Sequence, residues 1–570
     1  MNGKRAFALL VFLLVPVAGL YCSGRLTAMF LGLHGPAPHW NVYLDYLRTL
    51  DLPQVRPYAA KIRAAGYVGF GLPLLGYLGL VALAMRSPSK SLHGDARFAH
   101  AGDLAKHRLF EDGPTSLVVG RYNGRLLRLP GQQFAILAAP TRSGKGVGIV
   151  IPNLLEYQDS VVVLDIKQEN FDLTSGWRKS QGHEVFLFNP FAEDRRTHRW
   201  NPLGYVSDDP AFRVSDVMGI AAMLYPDGAD EQKFWVSQGR NAFLAFALYL
   251  FDKYHHERAC GFPGATVPTL GAVYRLSSGT GTDLRAYLQV LSQQGFLSDA
   301  ARMAFSTLLS QADETFASII GTFKEPLNAW VNPVLDAATS ADDFMLTDVR
   351  KKRMTIYVGI QPNKLAESRL ILNLFFSQLI NLNTRELPQN NPALKHQCLL
   401  LMDEFTAIGR IDIIASAVAY MAGYNLRLLP IIQSMAQLDA TYGRELARTL
   451  VTNHALQILY APREQQDAND YSEMLGYTTV RRQNVTRGRE VSRSESEERR
   501  ALMLPQELKA MGPEREVVMY EGIAHPVMCE KIRYYQDKRY TARLLPKTSV
   551  PTLQLGQARA VDAQERVSIT

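Results

Sequence analysis

Apolar positions along this chain fall into three kinds of run. Near the amino end, Ala6 to Tyr21 is almost wholly apolar behind Lys4 and Arg5, and Ala64 to Met85 is a second long run, bounded by Lys61 and Arg63 before it and Arg86 after it. Runs near the ~20 residues a helix needs to cross a hydrocarbon core predict two transmembrane helices, about 6–22 and 64–85, joined by an external loop around Pro36 to Pro57. The second is rich in small residues, with Gly66, Gly69, Gly71, Gly76 and Gly79 around Pro73, a composition that favours close helix packing. Residues 1–90 are therefore read as a membrane anchor.

The second kind of run is short, continuous and apolar, as in a parallel sheet buried on both faces. Val161 to Leu164, Val185 to Phe188, Met354 to Gly359, Gln397 to Met402, Leu426 to Ile432, Ala455 to Tyr460 and Val517 to Tyr520 all have this form. They predict strands alternating with helices in two stretches, 91–207 and 342–544. Between them, 208–341 shows the third pattern: helical periodicity, as in Phe234 to Leu250 and Ala300 to Ala317, with no convincing strand. It reads as an all-α insertion. Arg487 to Arg500 (RGREVSRSESEERR) is expected to be a solvated loop, and 545–570 a flexible tail.

Candidate chemistry sits where strands end. Phe134 to Pro152, FAILAAPTRSGKGVGIVIP, orders a buried strand, a small basic loop and a helix start. Backbone N–H groups around Ser143, Gly144 and Lys145 can face the β- and γ-phosphates of ATP, the helix beginning near Gly146 offers its positive end, and Lys145 bridges phosphate oxygens. Thr141, Arg142 and Val147 complete this loop. The strict phosphate-loop pattern has glycine where this chain has Ala139 and a hydroxyl where it has Gly146. Ala139 fits only with φ < 0, and Gly146 leaves Mg²⁺ without its usual hydroxyl ligand.

The Gln397–Met402 run ends in Asp403 and Glu404, two acids at the carboxyl end of a buried strand. Asp403 is placed to hold the hydration shell of Mg²⁺, and Glu404 to polarise a water for in-line attack on the γ-phosphate. Gln433, at the tip of the Leu426–Ile432 strand, can touch that phosphate or water. The three motifs together predict an α/β fold: a RecA-like P-loop ATPase core with an additional strand, the all-α insertion and the two-helix anchor.

Location and compartment follow from the chemistry. An ATP site needs the cytoplasm, so both termini are expected there, and no small-x-small cleavage site follows the first apolar run to make it a signal peptide. Four scattered cysteines, Cys22, Cys260, Cys398 and Cys529, have neither metal nor disulfide spacing, as expected in a reducing compartment. His255-His256-Glu257 are adjacent rather than at ligand spacing and read as a solvated polar patch. A net charge of +8 permits contact with nucleic acid or anionic lipid.

Ala139 to Gly148, Asp403-Glu404-Phe405 and Gln433-Ser434 with Gln437-Leu438 resemble the type IV coupling proteins of conjugation and secretion, in the TraG-like branch of the VirD/TraG family. Lesser matches are His93-Gly94-Asp95-Ala96-Arg97, Trp200-Asn201-Pro202-Leu203, and Asn373-Leu374-Phe375 with Gln378-Leu379. Ala139 and Gly146 are what this family usually shows. In Asp165 to Glu169 the family more often has glycine where this chain has Gln168. Some relatives carry a basic residue near Ala422, proposed as an arginine finger; Arg427 is a local substitute or, equally, a solvent-facing side chain. The resemblance implies an ATPase of the bacterial inner membrane, a homo-hexamer binding ATP and Mg²⁺. It implies as partners type IV secretion channel components and, as cargo, single-stranded DNA with relaxase or protein effectors. Alternatives are a double-stranded DNA translocase of the chromosome-segregation type, or a weakly hydrolysing nucleotide-binding scaffold.

Overall fold

The computed structural model describes residues 3–33, 41–85, 92–227, 232–279, 283–487 and 491–555. It divides into two compact units, Met1–Leu92 and His93–Thr570.

The first unit is built on two helices, Gly3–Leu31 and Ala59–Met85, that pack along each other. Val11–Leu31 of the first, and Arg56–Ala82, which begins in the short 3-10 helix Arg56–Tyr58 before the second, are long and apolar enough to cross a membrane. The first helix runs nine residues beyond the predicted end at 22, past the polar side chains of Ser23, Arg25 and Thr27. Its hydroxyls explain the extension, because Ser23 Oγ donates to the Leu20 carbonyl (3.0 Å) and Thr27 Oγ1 to the Ser23 carbonyl (2.7 Å), satisfying themselves inside the helix. Of the small residues, Gly66 and Gly69 make close approaches: a Cβ would lie 2.0 Å from the Tyr43 hydroxyl at the first and 2.5 Å from Ser23 Cα at the second, whereas Gly71, Gly76 and Gly79 face open space. Residues 34–40 of the expected external loop, and the boundary at 90, lie outside the described residues; a short helix, Val42–Arg48, follows the former.

The described residues of the second unit hold thirteen strands. They are β1 (Leu117–Tyr122), β2 (Arg125–Leu129), β3 (Ala135–Ala138), β4 (Ser160–Asp165), β5 (Glu184–Phe188), β6 (Met354–Gly359) and β7 (Cys398–Met402). Then come β8 (Leu426–Ile432), β9 (Leu456–Leu459), β10 (Tyr477–Arg487), β11 (Val491–Ala501), β12 (Arg515–Tyr520) and β13 (Val527–Glu530). Eleven form one sheet in the order β2-β1-β13-β12-β9-β3-β8-β7-β4-β6-β5. From β9 to β5 every pairing is parallel, and β12, β13, β1 and β2 extend the sheet antiparallel. Apart from the edge strand β5, the parallel strands are buried almost throughout, as their largely apolar runs require. β8 stands between β3 and β7, so the strands carrying the loop, Gln433 and the acid pair end side by side.

Among the described residues of 210–338 the elements are helices, and no strand occurs. Their apolar faces join those of the sheet in one continuous core. Trp200 is fully buried against Phe188 and Phe375, and Gln378 Nε2 donates to the Pro202 carbonyl (2.7 Å). Asn201 Nδ2 donates to the Pro268 carbonyl (2.9 Å). The tryptophan motif and the helix Leu365–Asn383 thus form the joint that seats the helical segment on the sheet.

Two expectations are corrected. The charged run after Arg487 is not a loop: β10 and β11 pair over eleven positions, from Tyr477 opposite Ala501 to Arg487 opposite Val491, with 488–490 outside the described residues. Opposite charges face each other across the ribbon, Arg481 with Glu497 (3.2 Å) and Arg482 with Glu498 (3.8 Å), while Arg499 lies over the Tyr477 ring (3.5 Å). Its root is sewn to the His93–Ala96 motif. The His93 amide donates to Thr479 Oγ1 (3.0 Å), Ala96 N–H to the Tyr477 carbonyl (3.1 Å) and Thr479 N–H to the Gly94 carbonyl (3.1 Å).

The carboxyl segment is likewise no loose tail as far as it is described. Lys547 pairs with Asp172 (2.9 Å), the Thr548 amide donates to Ser175 Oγ (3.1 Å), and Leu553 is buried with its amide on the Arg195 carbonyl (2.9 Å). Backbone polar groups that find partners on a neighbouring element order a segment whose composition alone would not. Residues 556–570 lie outside the described residues.

Candidate functional site

β3 runs into the loop Ala139–Lys145, which is bracketed by its neighbours: Ala139 N–H donates to the Ile432 carbonyl (2.9 Å) and Tyr460 N–H to the Ala138 carbonyl (3.0 Å). Ala139 keeps a negative φ, as its Cβ requires; the loop's left-handed positions are Arg142 (60°) and Gly144 (88°). The helix after the loop opens with a widened, π-type turn, Gly146–Val150, and becomes α-helical at Ile151. Pro152 has no N–H to offer the preceding turn, which accounts for the widening. Thr141 and Arg142 are exposed, and Ser143 to Val147 are half-buried. A Cβ at Gly146 would meet nothing within 4 Å, so the hydroxyl is missing from a place that has room for it.

The candidate side chains converge on one point. Lys145 Nζ contacts Glu404 Oε1 directly and stands 3.6 Å from Asp403 Oδ1. Gln433 Nε2 donates to Glu404 Oε2 (2.7 Å), and Thr141 Oγ1 donates to Gln433 Oε1 (2.9 Å). A closed relay therefore runs from the loop through β8 to the acids of β7 and back to the loop lysine. Glu404 itself is left-handed (φ 56°), a conformation that turns its carboxylate toward the loop.

Charge follows position. Burial works against ionised Glu404, but the bonds from Lys145 and Gln433 outweigh it and hold the carboxyl below its ordinary range. Asp403 moves the other way: burial raises it, Lys145 offsets this in part, and Glu404 adds to the rise. Beside it, at the end of β4, Asp165 is buried and pushed up to about 7, chiefly by burial, although the amides of Phe171 (2.8 Å) and Asn170 (3.4 Å) donate to it. Two acids at adjacent strand tips thus hold protons more readily than isolated ones, while Glu404 is the charged partner of Lys145.

Other positions behave differently from the sequence reading. Arg427 is neither a finger nor solvent-facing: it is fully buried, and its guanidinium donates to the carbonyls of Gln133 (2.8 Å), Thr115 (2.5 Å) and Leu129 (3.1 Å). Burial lowers it to about 10. Gln168 keeps the left-handed backbone (φ 59°) that glycine would adopt without strain. His255 faces Asp208 at 3.7 Å.

Sequence reasoning missed Lys531, just past β13. Its Nζ reaches the Ser143 carbonyl (3.4 Å) and lies over the ring of Tyr460 (3.6 Å). No spacing rule marks a lysine 388 residues from the loop it touches, and β13 itself is too short to show periodicity.

Residues 90–556 match the profile of the type IV secretory system conjugative DNA transfer family. A VirD4 protein of Rhizobium radiobacter is 30% identical over 463 residues, covering 78% of this chain and 64% of that protein. Across three VirD4 relatives, the matches span 64%, 71% and 66% of their lengths. A conjugal transfer protein TraG of Escherichia coli is 26% identical over 570 residues, covering 90% of this chain and 88% of that protein. Among solved structures, the unbound conjugative coupling protein TrwB superposes with a TM-score of 0.56 at 18% identity, covering 83% of this chain and 98% of that one. TrwB has also been solved with a non-hydrolysable ATP analogue and with ADP and Mg²⁺. The strand-tip site is thus carried on a fold shared with TrwB, and the chain belongs to the type IV secretory system conjugative DNA transfer family.

Proposed function

We propose that this chain is a membrane-anchored coupling ATPase that uses ATP hydrolysis to deliver single-stranded DNA with its attached relaxase, or protein effectors, to a type IV secretion channel. The observation that carries the reading is the convergence of Lys145, Asp403, Glu404 and Gln433 at the tips of three adjacent parallel strands, β3, β7 and β8.

The residues present fit a magnesium nucleotide. Ser143 Oγ and Asp403 Oδ1 are buried without a hydrogen-bond partner among the described residues, and open space lies over Gly144 and Gly146. When bound, ATP supplies the phosphoanhydride to be cleaved and Mg²⁺ neutralises the oxygens around it. Lys145, Gly144 and the widened turn at Gly146–Val147 would cradle the phosphates, with Thr141, Arg142 and Ser143 on the loop's open side, and Asp403 would hold the metal's water shell. Lys145 must leave Glu404 to reach a phosphate, and in leaving it frees the carboxylate. Glu404 Oε1 then accepts a proton from the attacking water while Gln433, still bonded to Oε2, orients it.

The two apolar helices would anchor the chain in the bacterial inner membrane, with the bulk cytoplasmic and the chain assembling as a homo-hexamer. Exposure of Thr141 and Arg142 supports such an assembly, since a neighbouring copy can cover the open side of the site. The family supplies the DNA-transfer context.

The test uses the full chain purified in detergent, assayed for ATP turnover with and without single-stranded DNA. DNA-stimulated turnover that vanishes in Lys145→Ala is expected. Tight ATP binding with no turnover under any condition would replace the motor with a docking scaffold.

A further inference from the structure

Beneath the phosphate loop lies a group of buried polar side chains that the hydrolysis scheme does not use. Lys531 is half-buried, and its acceptor within hydrogen-bonding reach is the carbonyl of Ser143 rather than a carboxylate. Tyr460, buried under the loop, presents its ring to the ammonium at 3.6 Å. The Tyr460 hydroxyl also sits where a Cβ on Gly148 would come within 2.6 Å, so this ring supports the helix start as well as the lysine. Deeper still, Glu516 on β12 is fully buried, with Cys529 Sγ 3.6 Å from its Oε1.

Peptide geometry gives the contact a consequence. In a trans peptide the C=O of Ser143 and the N–H of Gly144 point in opposite directions across one plane. A cation that draws the Ser143 oxygen outward, toward β13, therefore aims the Gly144 amide inward, where the loop cradles phosphate. Gly144 is left-handed (φ 88°), and a glycine there gives the preceding peptide unusual freedom to rotate. Without an outside grip, that plane has little to stop it turning its oxygen toward the phosphates, where it would repel them.

We propose that Lys531 is a positioning residue of the nucleotide site, clamping the Ser143–Gly144 peptide so that the Gly144 N–H faces the bound phosphates. The inference rests on the ATPase reading above. It also assigns a task to the antiparallel strands β12 and β13, which otherwise extend the sheet away from the chemistry: they carry a brace for the loop.

The lysine's charge is titratable in an accessible range. Burial lowers it to about 8, with Glu516 and Glu514 opposing that fall and Arg533 adding to it. Glu530, Arg121, Arg515 and Asp537 line the same cleft, of about 400 Å³, and complete the charges facing it. The clamp is therefore held below pH 8 and released as pH rises through it.

The experiment measures KM and kcat for ATP, and equilibrium binding of a fluorescent ATP analogue, from pH 6.5 to 9.5. It compares the full wild-type chain with Lys531→Met, Lys531→Arg and Lys145→Ala. Expected at pH 7 is a roughly tenfold rise in KM and Kd for Met, the scale of one lost charge-assisted bond, with a smaller change in kcat. Wild type should weaken toward the Met value above pH 8, while Arg stays tight to pH 9.5. A purely structural defect would instead lower the active fraction with KM unchanged, and that result overturns the clamp. So does a Met variant that binds like wild type, or, if Met does not fold, a wild-type KM that tracks the Arg variant's across the whole range. Loss of all ATP binding in wild type, or its persistence in Lys145→Ala, would instead remove the ATPase reading on which the clamp depends.

Discussion

Replacing Glu404 with glutamine should separate binding from turnover in opposite directions. Lys145 is paired with Glu404, and both side chains are largely shielded: 12% and 21% exposed. Any ligand that needs the Lys145 ammonium must first break that pair. A hydrogen-bonded ion pair this shielded contributes about 1–2 kcal/mol, above the range of exposed pairs and below that of fully desolvated ones. Glutamine keeps the shape and the bond from Gln433 on one side, but removes the charge that holds the lysine. Asp403, at 3.6 Å, remains as a weaker competitor. ATP should therefore bind about five- to thirty-fold more tightly, since each 1.4 kcal/mol is a factor of ten. Turnover should fall by about 10²-fold or more, because the amide cannot take the proton from water. Titration with a fluorescent ATP analogue gives the first quantity and a coupled phosphate-release assay the second. Parental turnover would show that the water is activated elsewhere. Weaker binding would show that the Lys145–Glu404 pair is not a competitor but part of the phosphate site.

Gly146→Ser places a hydroxyl in open space at the position next to Lys145, and should lower the Mg²⁺ concentration for half-maximal turnover several-fold with the fold intact; an unchanged magnesium titration would show that the metal does not approach this turn. Gly176→Val drives a side chain into the Pro546 carbonyl, 2.1 Å from where its Cβ must lie, so it should expel residues 545–555 and cost about 1–3 kcal/mol; the check is a fall in melting temperature together with protease cleavage in that segment. Glu516→Gln should stabilise more at pH 8.5 than at pH 5.5. Burial raises the folded-state pKa of Glu516 to about 8, above its unfolded value. The wild type thus keeps a proton that the unfolded chain has released, and loses stability as pH rises toward 8, a loss the glutamine variant escapes; melting curves at the two pH values read it directly. Exchanging residues 208–341 for those of a relative serving another secretion system should redirect cargo and spare basal ATPase activity; cargo preference that stays with the Lys145 and Asp403 core would remove docking from the helical segment.

The legible part of this fold was the part buried on both faces. β4, β6, β7 and β8 are largely apolar runs because no residue in a covered parallel strand meets water, and β4, β7 and β8 run into Asp165, Asp403 and Gln433 at their carboxyl ends. That is why Asp403, Glu404 and Gln433 were found together with Lys145. β1, β2 and β13 were not, since short strands at the sheet's antiparallel end alternate too briefly to rise above chance. The β10–β11 ribbon was hidden for a different reason. It is held by pairing of opposite charges across strands and by the His93–Ala96 segment some 380 residues upstream, and a run of charges reads as solvent until its partner strand is known. Arg427 shows the same limit within a strand: its three carbonyl partners come from the chain around residues 115–133, and nothing local to it says that they are there.

Three departures from the usual motifs look alike as letters and differ once the backbone is known. Ala139 replaces a glycine where φ is negative, so the side chain costs nothing. Gly146 replaces a hydroxyl where there is room for one, so the change is chemical rather than steric. Gln168 stands where the family more often has glycine and still adopts φ 59°, a left-handed conformation costing about 1 kcal/mol or more in a residue with a Cβ. It persists because the turn must deliver the helix Glu169–Ser180 so that the amides of Asn170 and Phe171 cap Asp165, which would otherwise be a bare buried carboxyl next to Asp403. Backbone geometry at 168 is thus fixed by an acid three residues earlier, and the strain is local to a turn that holds Asp165 in place beside Asp403.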